Sequence, residues 1–172
     1  MVKEPISELE FLTHHEAAHA AVAFSFGLRL APIHIDQYKD CGYMKLPEST
    51  PIQDVLIWLA GGRAELVLDP SSSNTRVASA PDEVFVRQTL AARLLRRSTP
   101  SDERLEQLIW RMRRPLARRC SFMVQERWPA IRRLAAALAR RASGTRLVEL
   151  TGEEAERVLT GEDGWRATGK PT

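Results

Sequence analysis

His15-Glu16-Ala17-Ala18-His19 sets two imidazoles four residues apart, with a carboxylate directly after the first. On a helix, that spacing stacks both rings on one face. Two ring nitrogens can then aim at a single point about 2 Å from each, which is half of a tetrahedral zinc site. Glu16 is turned about 100° around the helix from His15. It cannot join the pair as an in-line ligand, but it can reach a water on the metal and take its proton. The chemistry implied is metal-assisted hydrolysis of a peptide bond. The bland reading is a partly buried histidine pair beside a solvated glutamate. Against it stand the small neighbours Ala17, Ala18, Ala20 and Ala21 and the cost of placing three polar groups on an otherwise apolar stripe without a purpose. His14 has Ala18 four residues on, hence no partner, and is expected at the surface.

A catalytic zinc takes a third protein ligand and keeps one position open for water. Spacing alone does not choose among Asp36, Asp40, Glu65, Asp69 and Asp82.

The elements that must carry these groups follow from capping and periodicity. Ser7 and Glu10 form a capping box ahead of a helix over about 7–26, with Leu9, Leu12, Glu16, His19, Ala23 and Phe26 at three- and four-residue steps. "LAPIHID" and "GYMKLP" are β-leaning runs around the turn "QYKDC", a hairpin beside the metal helix, and Pro47 ends the second run. Thr50, Pro51 and Gln53 open a second helix containing Gly61 and Gly62. Two interior glycines cost about 1 kcal/mol each, so another backbone or helix is expected to pass close to them. "DPSSSNTRVASA" reads as a loop. A third helix runs from Pro81 to about Arg97 with Ser79 as N-cap, which puts Asp82 in its first turn. A fourth begins at "STPSDE" and continues through "RLEQLIWRMRRPLARRCSFMVQERW", where Pro115 should kink or interrupt it. Trp128-Pro129 opens an amphipathic helix closed by Gly144, and "LTGEEAERVL" is a last short helix before a polar tail.

The 172 residues suit one domain, and 44% hydrophobic content is enough for a core. No apolar run approaches the length of a membrane span, and the polar, acidic start does not resemble a signal peptide, so a cytoplasmic protein with no membrane segment is expected. Cys41 and Cys120 match no metal or disulfide spacing and read as plain thiols. The net charge of +3 hides an asymmetry: residues 1–86 carry 6 basic and 12 acidic side chains, whereas residues 87–141 carry 15 arginines against 4 acids. That basic stretch raises nucleic-acid binding as a rival function. Arginine outnumbers lysine 21 to 4 throughout, however, and there is no ordered aromatic array for base stacking. Solvated faces that pair with acids are the simpler reading.

Four blocks in order, "HEAAHA", the hairpin ending "GYMKLP", "LAGGRAELVL" and "ASAPDEVFVRQTLAARL", together with the closing "LTGEEAERVL", resemble the peptidase domain of FtsH-type zinc proteases. The resemblance covers most of the chain. It implies a mainly α, zincin-like fold: a helical bundle with a small β-hairpin or sheet beside the metal-binding helix. It further implies a single peptidase domain over 1–160, made of a metal-site half (1–98) and a helical half (99–160), then a tail at 161–172. Carried over by position, it makes His15, His19 and Asp82 the Zn2+ ligands and Glu16 the catalytic glutamate. Glu65 is expected in a structural role, holding a histidine N–H or pairing with Arg63. The resemblance also implies that an extended peptide pairs with the strand at 41–46, and that the chain self-associates as a homo-oligomer. Ala18 and Pro81 depart from the family pattern, which has glycine and asparagine there. No G-x-x-x-x-G-K-[ST] phosphate loop occurs in these residues. The expectation is a metalloendopeptidase that cleaves unfolded or flexible protein by itself or with a separate AAA ATPase. The rival within the same fold is a catalytically inactive adaptor.

Overall fold

Ser7 caps the first helix, its hydroxyl accepting from the Glu10 amide at 3.1 Å. α1 then runs Glu8–Ser25, and Gly27, at φ 73°, turns the chain out of it. The structure is a computed structural model that describes residues 6–36, 39, 41–45, 48–70, 79–96, 99–142 and 147–162. Most of the expected "QYKDC" turn, Pro47, the loop at 71–78, Gly144 and the tail from 163 onward lie outside the described residues.

The hairpin forms as β1 (Ile33–Asp36) and β2 (Cys41–Met44), antiparallel, with Ile33 opposite Met44 and Ile35 opposite Gly42. α2 (Pro51–Leu68) starts with both halves of the Thr50–Gln53 capping box and proline at its first turn. α3 (Ser79–Leu95) begins two residues before Pro81, so Ser79 is its first helical residue rather than its cap. α4 (Asp102–Glu126) passes through Pro115 without a break; the interruption expected there does not occur. Pro115 stands on the exposed side of α4, where its ring faces away from the packed interior. α5 (Trp128–Ala142) follows, then β3 (Leu147–Leu150), and α6 (Gly152–Thr160) closes under a second complete capping box, Thr151–Glu154, with Gly161 at φ 80°.

The chain is thus mainly helical with a small three-stranded antiparallel sheet, order β2-β1-β3. β3 was not expected from the sequence. It pairs antiparallel with β1, Ile33 opposite Leu150 and Ile35 opposite Val148. The inner face of the sheet is Ile33, Ile35, Met44, Val148 and Leu150, all buried, while Tyr43 and Leu147 face out.

α1 is the centre of the molecule. It contacts α2, α5 and the sheet, and every residue from Phe11 to Ala23 except His14 is buried. Alanines at 17, 18, 20, 21 and 23 let its neighbours come close. Branched side chains such as Ile33, Ile35, Leu56, Ile57, Leu134 and Leu138 fill the rest, each contributing about 1.5–3 kcal/mol by burial. Both cysteines are free, and no described helix is long and apolar enough to cross a membrane.

α6 is tied to the segment after α1. The Glu156 carboxylate accepts from the Leu30 amide at 2.8 Å, and a Cβ on Gly152 would overlap the Leu30 carbonyl oxygen. A backbone atom held in this way cannot swing aside as a side chain can. Gly152→Ala is therefore expected to destabilise the protein by about 2 kcal/mol, read as a lower melting temperature. An unchanged melting temperature would show that this contact yields.

Candidate metal centre

Six polar or charged side chains are buried among the described residues: Thr13, His15, Glu16, His19, Glu65 and Asp82. All but Thr13 belong to one cluster. His15, Glu16 and His19 come from the middle of α1, Glu65 from α2, and Asp82 from the first turn of α3.

The two imidazoles lie edge to face, ring centroids 4.6 Å apart, as one helical turn dictates. Each is fixed through its Nδ1. His19 Nδ1 lies 2.6 Å from the Ile57 carbonyl oxygen, which can only accept, so this nitrogen carries a proton and donates it. His15 Nδ1 donates in the same way to Glu65 Oε1 at 2.7 Å. Both Nε2 atoms are thereby turned to the same point. Asp82 Oδ2 lies beside it, 3.0 Å from His15 Nε2 and 3.2 Å from His19 Nε2. Those are ion-pair distances, yet neither ring nitrogen meets hydrogen-bond geometry with this oxygen, which is buried without a hydrogen-bond partner. Three ligand-type atoms within 4.8 Å of one another, one of them an orphaned carboxylate oxygen, are a donor set that could hold a metal ion.

The other carboxylates considered from sequence are elsewhere. Asp36 ends β1 and Asp69 caps α2; neither joins the cluster, and Asp40 lies outside the described residues. His14 is not the free surface residue expected. It is partly buried, its Nδ1 2.8 Å from the Glu10 carbonyl and its ring stacked on Trp128.

Two glycines make the cluster possible. A Cβ on Gly61 of α2 would lie 2.5 Å from the His15 ring, so the close passage expected near the paired glycines is made by this imidazole. A Cβ on Gly42 of β2 would overlap the Glu16 side chain. The second contact has no signature in sequence beyond a glycine in a strand, a position where close approach is the usual reason. The Ile57 carbonyl is likewise invisible there, because any residue supplies one. Beside His19 the indole of Trp58 lies edge-on at 5.8 Å and stacks in turn on Phe85, which is half exposed.

No protein-family model matches the chain, and no curated protein matches it. The site's chemistry therefore has to come from its own electrostatics. Burial pulls His15 towards its neutral form, but the carboxylates of Asp82 and Glu65 against its ring, helped by the charge of Glu16, outweigh this and push it up to about 10. Burial pushes Asp82 upward, and the charge of His19 together with contact to both rings overcomes that, holding it down at about 2. Glu16 goes the other way: its desolvation raises it above the usual carboxylate range, against the opposing pull of His19 and His15. A buried carboxyl that holds a proton more readily than a surface one is suited to keeping a proton it has taken and passing it on.

The metal-free chain should reveal the His15–Asp82 pair in its stability. With His15 raised from 6.5 to about 10, its contribution is complete below 6.5 and is lost as pH rises through 10. Asp82, lowered from 3.8 to about 2, contributes fully above 3.8 and loses that as pH falls through 2. Between pH 7 and 10 the metal-free wild type should therefore lose more stability than Asp82→Asn, by upwards of about 1 kcal/mol in denaturant melts. Parallel losses in the two proteins would mean that the pair carries no such linkage.

Proposed function

We propose that the chain is a zinc metalloendopeptidase with an FtsH-like peptidase fold, in which His15, His19 and Asp82 bind zinc and Glu16 is the general base. The observation that carries this reading is the convergence of two oriented Nε2 atoms and an unpartnered Asp82 oxygen on one buried point, beside a glutamate with a raised proton affinity. Two imidazoles and one carboxylate, with no thiolate, match the ligand type of catalytic rather than structural zinc. The order of motifs resembling FtsH-type domains supports the same assignment.

When bound, zinc would supply Lewis acidity, activating a water and polarising the scissile carbonyl. The protein's own part is positional. Glu65 and the Ile57 carbonyl hold the Nδ1 protons, so both rings present Nε2 lone pairs. Glu16, pressed against Gly42, would receive a proton on its carboxylate and return it to the leaving amine. β2 is an edge strand of the sheet, and the contact with Glu16 is made at its Gly42. An extended peptide added to that edge would lie beside the base. An edge that takes only extended chain favours unfolded or flexible substrates, and folded ones would need unfolding by a separate AAA ATPase.

Cleavage of unfolded casein tests the reading. Zinc-loaded wild type should cleave it, and Glu16→Gln should retain zinc while losing at least about 100-fold in rate, the range for a positioned base. Equal background rates for the two would favour the inactive adaptor. The third ligand has its own measurement. Asp82→Ala should reduce zinc affinity more than about 100-fold, whereas Glu65→Ala, which removes a support, should cost about 10–100-fold. The reverse order would put the ligand at Glu65.

A further inference from the structure

On the side of α2 facing α4, a cavity of about 240 Å3 collects four guanidinium groups: Arg63 from α2 and Arg113, Arg114 and Arg118 from α4. We propose that this cavity is a binding site for a polyphosphate anion. It is separate from the metal centre. The cavity takes its residues from α4 and from Arg63, whereas Gly61 and Glu65 of α2 meet His15 of α1.

Charge balance is the first argument. Arg113 alone has an acidic partner, donating through Nε at 3.1 Å and through Nη2 to the two oxygens of Glu83. Arg114 lies over the Trp110 ring at 5.5 Å, and among the described residues no ion pair is made by Arg63, Arg114 or Arg118. Like charges gathered around one concavity repel each other and focus a positive potential into it. Among the described residues a single acid, Glu83, pairs with an arginine of this group.

Shape and donor type narrow the ligand. Ala117 and Ser121 are the small side chains of the lining, beside the long arginines. The volume falls below the roughly 300–1,000 Å3 of pockets for drug-sized ligands, so the occupant is compact. Guanidinium forks suit the paired oxygens of phosphoryl groups, and a short phosphate chain brings several negative charges in one small body, where a lone carboxylate brings one. Trp110, also in the lining, is 60% exposed, an indole plane on which a nucleotide base could lie. The shared chemistry is therefore a di- or triphosphate, free or as part of a nucleotide.

Titration calorimetry on the zinc-free chain tests this, with sodium tripolyphosphate, ATP and sulfate as probes at low ionic strength; zinc is left out because polyphosphates chelate it. Tripolyphosphate should bind one site at least about tenfold more tightly than sulfate. The double variant Arg63→Ala/Arg118→Ala should weaken it at least about tenfold, while Arg104→Ala, on α4 but outside the cavity, should leave it within about twofold. Tighter binding of ATP than of tripolyphosphate would assign the Trp110 rim to a base, and equal affinity would assign the phosphate chain alone. Far-ultraviolet circular dichroism checks folding, and the single variant Arg118→Glu, expected to abolish binding, stands in should the double variant misfold. No saturable binding at about 1 mM tripolyphosphate would overturn the proposal. So would an equal loss from Arg104→Ala, since attraction would then be a diffuse property of the arginine-rich surface.

Discussion

The near-contact of α1 and α2 at Gly61 is the constraint from which the rest follows. His15 occupies the space that any side chain at position 61 would need, and this brings its Nδ1 to Glu65 and, one turn along, His19 Nδ1 to the Ile57 carbonyl. Without α2 so close, both rings would be buried polar groups with unmet donors, at a cost of about 1–3 kcal/mol each. With it, the same burial becomes orientation. The alanines of α1 serve the same end, because a helix surrounded on all sides can approach its neighbours closely only if its side chains are small.

A core built around a polar cluster must offset that cluster's desolvation. Glu65, Asp82 and Glu16 bring three carboxylates to two histidines. In the metal-free arrangement a charge on His15 satisfies Asp82 and Glu65 together, which is why its proton is held so firmly. A divalent cation between the Nε2 atoms and Asp82 Oδ2 would do the same work better. It would supply the orphaned oxygen with a partner and relieve like-charge crowding among the acids. The cluster therefore has two ways to be electrically satisfied, by proton or by metal, and competition between them links metal affinity to pH.

Much of this could be read from sequence, for identifiable reasons. Helix starts were legible because Ser7, Thr50 and Ser101 cap through local hydrogen bonds that need no tertiary context. The His15–His19 spacing is equally local. Asp82 was not separable from the other carboxylates by spacing, since what distinguishes it is the packing of α3 on α2, a contact between distant segments; only the resemblance singled it out. β3 was missed because its four residues, sandwiched between a helix and a capping box, are too short for alternation to declare itself, and their pairing partner β1 lies more than a hundred residues earlier. Of the two outcomes expected at Pro115, the interruption does not occur: the helix runs on past it, with Ile109, Ala117, Cys120 and Val124 buried on either side, so packing overrides a local loss that the sequence alone shows.

The arginine-rich part of the chain divides by partner. Arg113 grips Glu83 and Arg87 pairs with Glu106, so two ion pairs join α3 to α4. Exposed pairs of this kind contribute little to stability one at a time, but the first of them sits at the residue next to Asp82. Its place is what matters: a bidentate fork from α4 holds Glu83 near the start of α3, the stretch that also carries Asp82 to the two histidines. Among the described residues Arg63, Arg114 and Arg118 make no ion pair, and all three line the cavity beside α4. The same helix, α4, thus ties one of its arginines to the stretch that carries Asp82 and, among the described residues, leaves Arg114 and Arg118 without an ion pair.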